Sequence, residues 1–102
     1  MDQEIRGKSL MVTGAGGSIG SALCHEILKH EPRRLILFEI SEFSLYRLQQ
    51  DLSDRDIHLT IPVLGNILDE ERLSAVLTEH QVQTVFHVAA YKHVPLVEAN
   101  PL

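Results

Sequence analysis

A chain of 102 residues, 44% of them apolar, is long enough for one small domain and apolar enough to build a core. Its net charge of −5, with Lys and Arg scattered and no basic tract, argues against nucleic acid and anionic membranes as partners, and the lone Cys24 excludes an internal disulfide. No apolar run approaches the ~20 residues of a membrane span, and the acidic start Met1-Asp2-Gln3-Glu4 is no signal peptide, so a soluble chain in a reducing cytoplasm is expected.

Short apolar runs alternate with amphipathic segments. Lys8–Thr13 is a first strand that ends in glycines. Ser18–His30 carries Ile19, Leu23, Ile27 and Leu28 at helical spacing. Leu35–Phe38 is a second strand, and Ser41 can cap a second helix with Leu45, Leu48 and Leu52 on one face. Asp54 and Asp56 flank Arg55 in what reads as a solvated loop. Ile57–Leu64 follows as a third strand, with Pro62 marking an edge or an irregular exit. Asp69 caps a third helix whose first turn holds Glu70 and Glu71 and whose buried stripe is Leu73, Val76 and Leu77. Val82–Ala89 is a fourth strand.

The pattern is βαβαβαβ. Strands that are apolar throughout are buried on both faces, as in a parallel sheet covered by helices. Right-handed crossovers then give strand order 3-2-1-4. The expectation is an α/β, Rossmann-type three-layer sheet, of which residues 1–102 form the N-terminal dinucleotide-binding portion and an incomplete doubly wound fold. The twelve residues from Tyr91 to Leu102 cannot supply another strand and helix pair. Strand four should therefore be an exposed apolar edge, so the chain is either part of a longer protein or one copy in an assembly, with a homo-oligomer expected.

Between the first strand and first helix lies Thr13-Gly14-Ala15-Gly16-Gly17-Ser18-Ile19-Gly20. A glycine motif in that context binds a pyrophosphate. Gly14 permits the tight turn, Gly17 lets backbone approach the phosphates, and Gly20 lets helix pack on strand. Free N–H groups and the helix dipole receive the charge. The spacing is TGxxGxxG, not GxGxxG, and the absence of Gly-Lys-Ser/Thr rules out a P-loop. Glu39 ends the second strand 25 positions past Gly14, near the ~20 expected of the acid that binds the adenosine ribose. A carboxylate there accepts from a 2′-OH and repels a 2′-phosphate, which favours NAD over NADP, although Arg47 or another base can still reach a phosphate. Ser41 can both cap its helix and face the ribose. After strand three, Asn66 can accept from the adenine amino group, with Ile67 on the ring, or it can simply turn the chain before Asp69. Ala89 and Ala90 can admit the nicotinamide ribose or pack against a helix. The sequence leaves both pairs of alternatives open.

Three segments together resemble the CapD-type polysaccharide-biosynthesis proteins: the glycine turn, the run Leu37–Tyr46, and His87-Val88-Ala89-Ala90-Tyr91-Lys92-His93-Val94-Pro95 followed by Glu98-Ala99-Asn100-Pro101. These are extended short-chain dehydrogenases acting on nucleotide sugars, typically UDP-N-acetylglucosamine 4,6-dehydratases and related epimerases. The resemblance spans nearly the whole chain, and its last segment is the most specific. It implies that Gly14, Gly16, Gly17, Ser18, Ile19 and Gly20 hold the pyrophosphate of NAD or NADP, and that Glu39 and Ser41 sit at the ribose. It also implies that Ala89, Ala90 and Tyr91 line the nicotinamide side, with Lys92 and His93 where the sugar nucleotide enters. The family usually has Asp in place of Asn66. Some relatives carry membrane helices, so anchoring of a full-length protein stays open.

The Tyr-x-x-x-Lys pair of short-chain dehydrogenases is absent, because Tyr46 and Tyr91 are followed at the fourth position by Gln50 and Pro95. The chain alone should bind a dinucleotide without turning over substrate. A catalytically silent nucleotide-binding or regulatory module is the competing reading. His25 and His30, five apart, and His87 and His93, six apart, do not suit a metal site, and none is expected.

Overall fold

The structure is a computed structural model that describes residues 2–88 and the backbone of residues 97–101. In chain order the elements are α1 (Asp2–Ile5), β1 (Ser9–Thr13), α2 (Ser18–Leu28), β2 (Arg34–Glu39), α3 (Glu42–Asp51), α4 (Asp54–His58), β3 (Thr60–Leu64), α5 (Glu70–Glu79), β4 (Thr84–Val88) and β5 (Val97–Pro101). The sheet runs β3-β2-β1-β4-β5. Its first four strands are parallel, in register Thr13↔Phe38 and Thr13↔His87 on either side of β1, so the order 3-2-1-4 stands.

Both faces of the central strands β1 and β2 are buried, which makes the three layers, whereas β3 and β4 are only partly covered, against the expectation that every strand is buried on both faces. Leu10, Val12, Leu35 and Leu37 pack with Ile5, with Cys24, Ile27 and Leu28 of α2, and with Leu45 and Leu48 of α3. The alternate residues Met11, Ile36, Phe38, Val63 and Val85 pack on the opposite side with Val76 and Val82. Each such side chain contributes roughly 1.5–3 kcal/mol by leaving water.

Ser41 caps α3 by accepting from the Ser44 N–H at 3.2 Å, and Asp69 caps α5 by accepting from Arg72 N–H at 3.2 Å. Pro62 sits in β3, which among the described residues is an edge strand paired with β2 alone, where a missing N–H costs least.

Four other expectations need correcting. Asp54, Arg55 and Asp56 are not a loop and Ile57 is not in a strand. Ser53 caps the short helix α4 by accepting from the Asp56 N–H at 3.1 Å, and β3 starts only at Thr60. The buried face of α2 is Gly20, Cys24, Ile27 and Leu28, with Ile19 exposed. Gly20 must face the Gly14–Ala15 turn that it abuts, and that contact sets the rotation of the helix. The helix also ends at Leu28 rather than His30, because the chain reverses through Glu31 at φ +54°. Finally, β4 is not an edge: β5 pairs with it antiparallel, from Thr84↔Pro101 to Val88↔Val97. An antiparallel return needs only a short connection and no crossover helix, so twelve residues suffice.

Candidate functional site

The chain leaves β1 toward β2 and β3, then crosses to the other side of β1 to form β4. The carboxyl ends of β1 and β4 therefore flank the point where strand order reverses, where open α/β sheets take ligands. The glycine turn lies there.

Its conformation follows from backbone bonds. Gly14 has φ +71°, and its N–H donates to the Phe38 carbonyl at 2.9 Å, as the Ala15 N–H does at 3.2 Å. The Gly17 N–H returns to the Gly14 carbonyl at 3.2 Å. The glycines differ in why they are needed. A Cβ on Gly20 would fall on the Gly14 carbonyl oxygen, 2.8 Å from the Gly14 carbonyl carbon and 3.0 Å from the Ala15 Cα. A Cβ on Gly16 would lie 2.6 Å from the Ser44 Cβ and 2.9 Å from the Ser44 carbonyl oxygen. Gly17 is different: φ −73° and ψ 172° suit any residue, and a Cβ would meet only the Gly14 oxygen at an ordinary 3.6 Å. Among the described residues, nothing requires a glycine there.

Gly17 is also the N-cap of α2 and supplies no side-chain cap, and the first turn of α2 holds no acidic residue. Among the described residues, no group accepts from the N–H of Ser18, Ile19 or Gly20, the first intrahelical bond being Ser21 N–H to the Gly17 carbonyl at 2.8 Å. Three donors and the positive end of a helix dipole thus stand together, uncapped.

Glu39 lies beside the turn and is only 7% exposed. One carboxylate oxygen accepts from the Gly16 N–H at 2.7 Å and the other from the Ser41 N–H at 2.9 Å. Ile40, next in the chain, is 64% exposed.

Beyond β3, the Asn66 side-chain oxygen accepts from the Leu68 N–H at 2.9 Å, while the Asn66 carbonyl accepts from the Asp69 N–H at 2.9 Å. Asn66 therefore turns the chain into α5, and its amide oxygen keeps a second lone pair. Ile67 is 48% exposed.

Sequence reasoning missed the part played by Thr13. Its hydroxyl is buried at the end of β1, 3.2 Å from His87 Nδ1, and accepts from the Val88 N–H at 3.3 Å, which clasps β1 to β4 at the switch point. A hydroxyl amino acid closing an apolar strand was the available signal. The sequence positions Ala89, Ala90, Tyr91, Lys92 and His93 lie outside the described residues. Among the described residues, no helix is long and apolar enough to cross a membrane.

The family model described as polysaccharide biosynthesis protein matches residues 10–102. The chain is similar to the capsular polysaccharide biosynthesis protein CapD of Staphylococcus aureus, with 39% identity over 99% of this chain and 17% of that protein. It is 31% identical, over 94% of its length and 28% of the relative, to a UDP-N-acetylglucosamine 4,6-dehydratase (inverting) of Campylobacter jejuni. Among the relatives are nucleotide-sugar dehydratases and UDP-glucose 4-epimerases. The crystal structure of dTDP-glucose 4,6-dehydratase from Bacillus anthracis, in complex with NAD, superposes with a TM-score of 0.68 at 28% identity, covering 82% of this chain and 27% of that one. The chain thus spans well under a third of the length of these relatives.

Proposed function

Because the chain belongs to the polysaccharide biosynthesis protein family, we propose that it is the dinucleotide-binding portion of a nucleotide-sugar 4,6-dehydratase of the UDP-N-acetylglucosamine type. The observation that carries this reading is the uncapped start of α2, with no described residue close enough to demand a glycine at position 17. A glycine that neither turn geometry nor packing requires is explained by a ligand that comes close to backbone, and unpaired N–H groups at a helix start select a phosphate.

In this reading Gly14, Gly16, Gly17, Ser18, Ile19 and Gly20 shape and line the pyrophosphate site. Glu39 and Ser41 meet the adenosine ribose, and Asn66 and Ile67 meet the adenine. Ala89, Ala90 and Tyr91 would follow on the nicotinamide side, and Lys92 and His93 toward the sugar nucleotide. The Glu39 carboxylate, with one oxygen on Gly16 and one on Ser41, keeps lone pairs for a ribose hydroxyl and repels a 2′-phosphate, so NAD is the favoured cofactor. The dinucleotide, when bound, supplies a reversible hydride acceptor for oxidation at C4 of the sugar and reduction at C6, with water leaving across C5 and C6 in between. This chain contributes binding. It holds no Tyr-x-x-x-Lys pair, and turnover by it alone is not expected.

Titration with NAD and NADP against thermal unfolding tests the reading. A ligand of the folded state at a hundred times its Kd stabilises by about 2.7 kcal/mol. No shift at millimolar cofactor would defeat the proposal. With Glu39→Ala, NAD should weaken and its advantage over NADP should narrow.

A further inference from the structure

We infer that Glu39 is also a positioning residue, which fixes the glycine turn in its receptive shape before any cofactor arrives. The inference rests on the dinucleotide reading but adds a role that ribose recognition does not require.

The observation is a closed ring of contacts. The Gly16 N–H donates to one Glu39 oxygen at 2.7 Å, and the Ser41 N–H donates to the other at 2.9 Å. The Ser41 hydroxyl accepts from the Ser44 N–H at 3.2 Å. Ser44 in turn packs so tightly on Gly16 that a Cβ there would sit 2.6 Å from its own Cβ. One buried carboxylate therefore joins the turn after β1 to the start of α3, although Gly16 and Glu39 are 23 residues apart. Gly16 directly precedes Gly17, the cap of the uncapped helix start, so whatever fixes Gly16 fixes where the next N–H groups point. Without the carboxylate, the Gly16 N–H would lose its partner and the turn would have other conformations to visit. Part of any binding energy would then be spent on ordering it.

The two roles separate with a ligand that lacks the ribose hydroxyls. Glu39→Gln keeps size but offers one acceptor and one donor to two N–H groups. Glu39→Asp keeps charge but is one methylene too short to span both, and it stands in should the Gln variant fail to fold. In the ligand-free chain, exchange of the Gly16 amide, normalised to amides of β1, should quicken about tenfold in either variant, as loss of a hydrogen bond to a charged group implies. Affinity for 2′,3′-dideoxy-ADP, which carries a pyrophosphate but no 2′- or 3′-hydroxyl, should fall by a similar factor. Unchanged relative exchange at Gly16 overturns the inference. So does a variant that binds dideoxy-ADP like the parent while losing affinity for ADP, because Glu39 would then act through the hydroxyls alone. If the parent chain binds neither nucleotide while Gly16 is still protected through Glu39, the dinucleotide reading fails and the positioning of the turn stands.

Discussion

Gly17→Ala and Gly20→Ala should have opposite consequences, although the two residues are three apart in one motif. At Gly20 the new methyl would strike the Gly14 carbonyl oxygen, and its next neighbours, at 2.8 and 3.0 Å, are backbone atoms of Gly14 and Ala15. Neither can move without undoing the turn that the Gly14 and Ala15 N–H groups fasten to Phe38. Overpacking of this kind costs about 1–3 kcal/mol, and an obstacle made of backbone puts Gly20→Ala near the top of that range. For a domain of about 100 residues, roughly 3 kcal/mol lowers Tm by about 12–24 °C. At Gly17 the backbone is extended and the nearest atom stands at 3.6 Å. The entropy removed from the unfolded chain, about 0.4–1 kcal/mol, opposes a comparable preference for glycine over alanine at an N-cap, so stability should change by less than about 1 kcal/mol. The methyl would instead occupy the approach to the first N–H groups of α2, and NAD affinity should fall at least about tenfold, or about 1.4 kcal/mol. Thermal unfolding with and without NAD reads both quantities. A stable Gly17→Ala chain that binds NAD like the parent would refute the division of the glycines, and so would a Gly20→Ala chain of parental stability.

Three further outcomes follow from other parts of the fold. Thr13→Val keeps the shape of the side chain but leaves the Val88 N–H without its acceptor and His87 without its partner. Urea unfolding should show a loss of about 1–3 kcal/mol, and parental stability would mean that the clasp contributes nothing. Burial pushes the Cys24 thiol up to about 12, so a maleimide should label it only as fast as the chain opens, with the rate rising in urea. Labelling at the rate of a free thiol would contradict that burial. Hydrogen bonds from the Arg6 guanidinium, and then from His30, hold the Asp2 carboxyl at about 2, below its ordinary 3.8. A depressed carboxyl stabilises above its unfolded value and loses that contribution as pH falls through the folded one. Asp2→Asn should therefore lower Tm slightly at neutral pH, the gap closing between pH 3.8 and about 2 and shrinking in about 1 M salt, since the pair is exposed. A gap independent of pH and salt would exclude the ion pair as its cause.

The sequence disclosed most of the fold because the signals were local. Apolar runs too short for helices, Ser41 and Asp69 ahead of periodic leucines and valines, and a glycine turn between strand and helix each reported on a few neighbouring residues. The elements it misread were those in which local signals competed. Ser53 capped a turn that the apolar Ile57 and Leu59 made look like strand. Ile19 fitted a helical stripe, yet Gly20 decided which face turned inward.

By itself the sequence determined that a glycine-lined turn would join the first strand to the helix that follows it, and that an acidic residue would end the second strand. Periodicity and turn chemistry are written into neighbouring residues. Only the tertiary structure decided that these two features touch. Parallel pairing of β1 with β2 in the register Thr13↔Phe38 carries Glu39 alongside Gly16, 23 residues away, and wedges Ser44 against the same glycine. It also shows that backbone atoms of Gly14 and Ala15 leave no room for a Cβ at Gly20, while among the described residues nothing crowds Gly17. No local pattern encodes such facts, because they depend on the distance between segments that only sheet registration brings together.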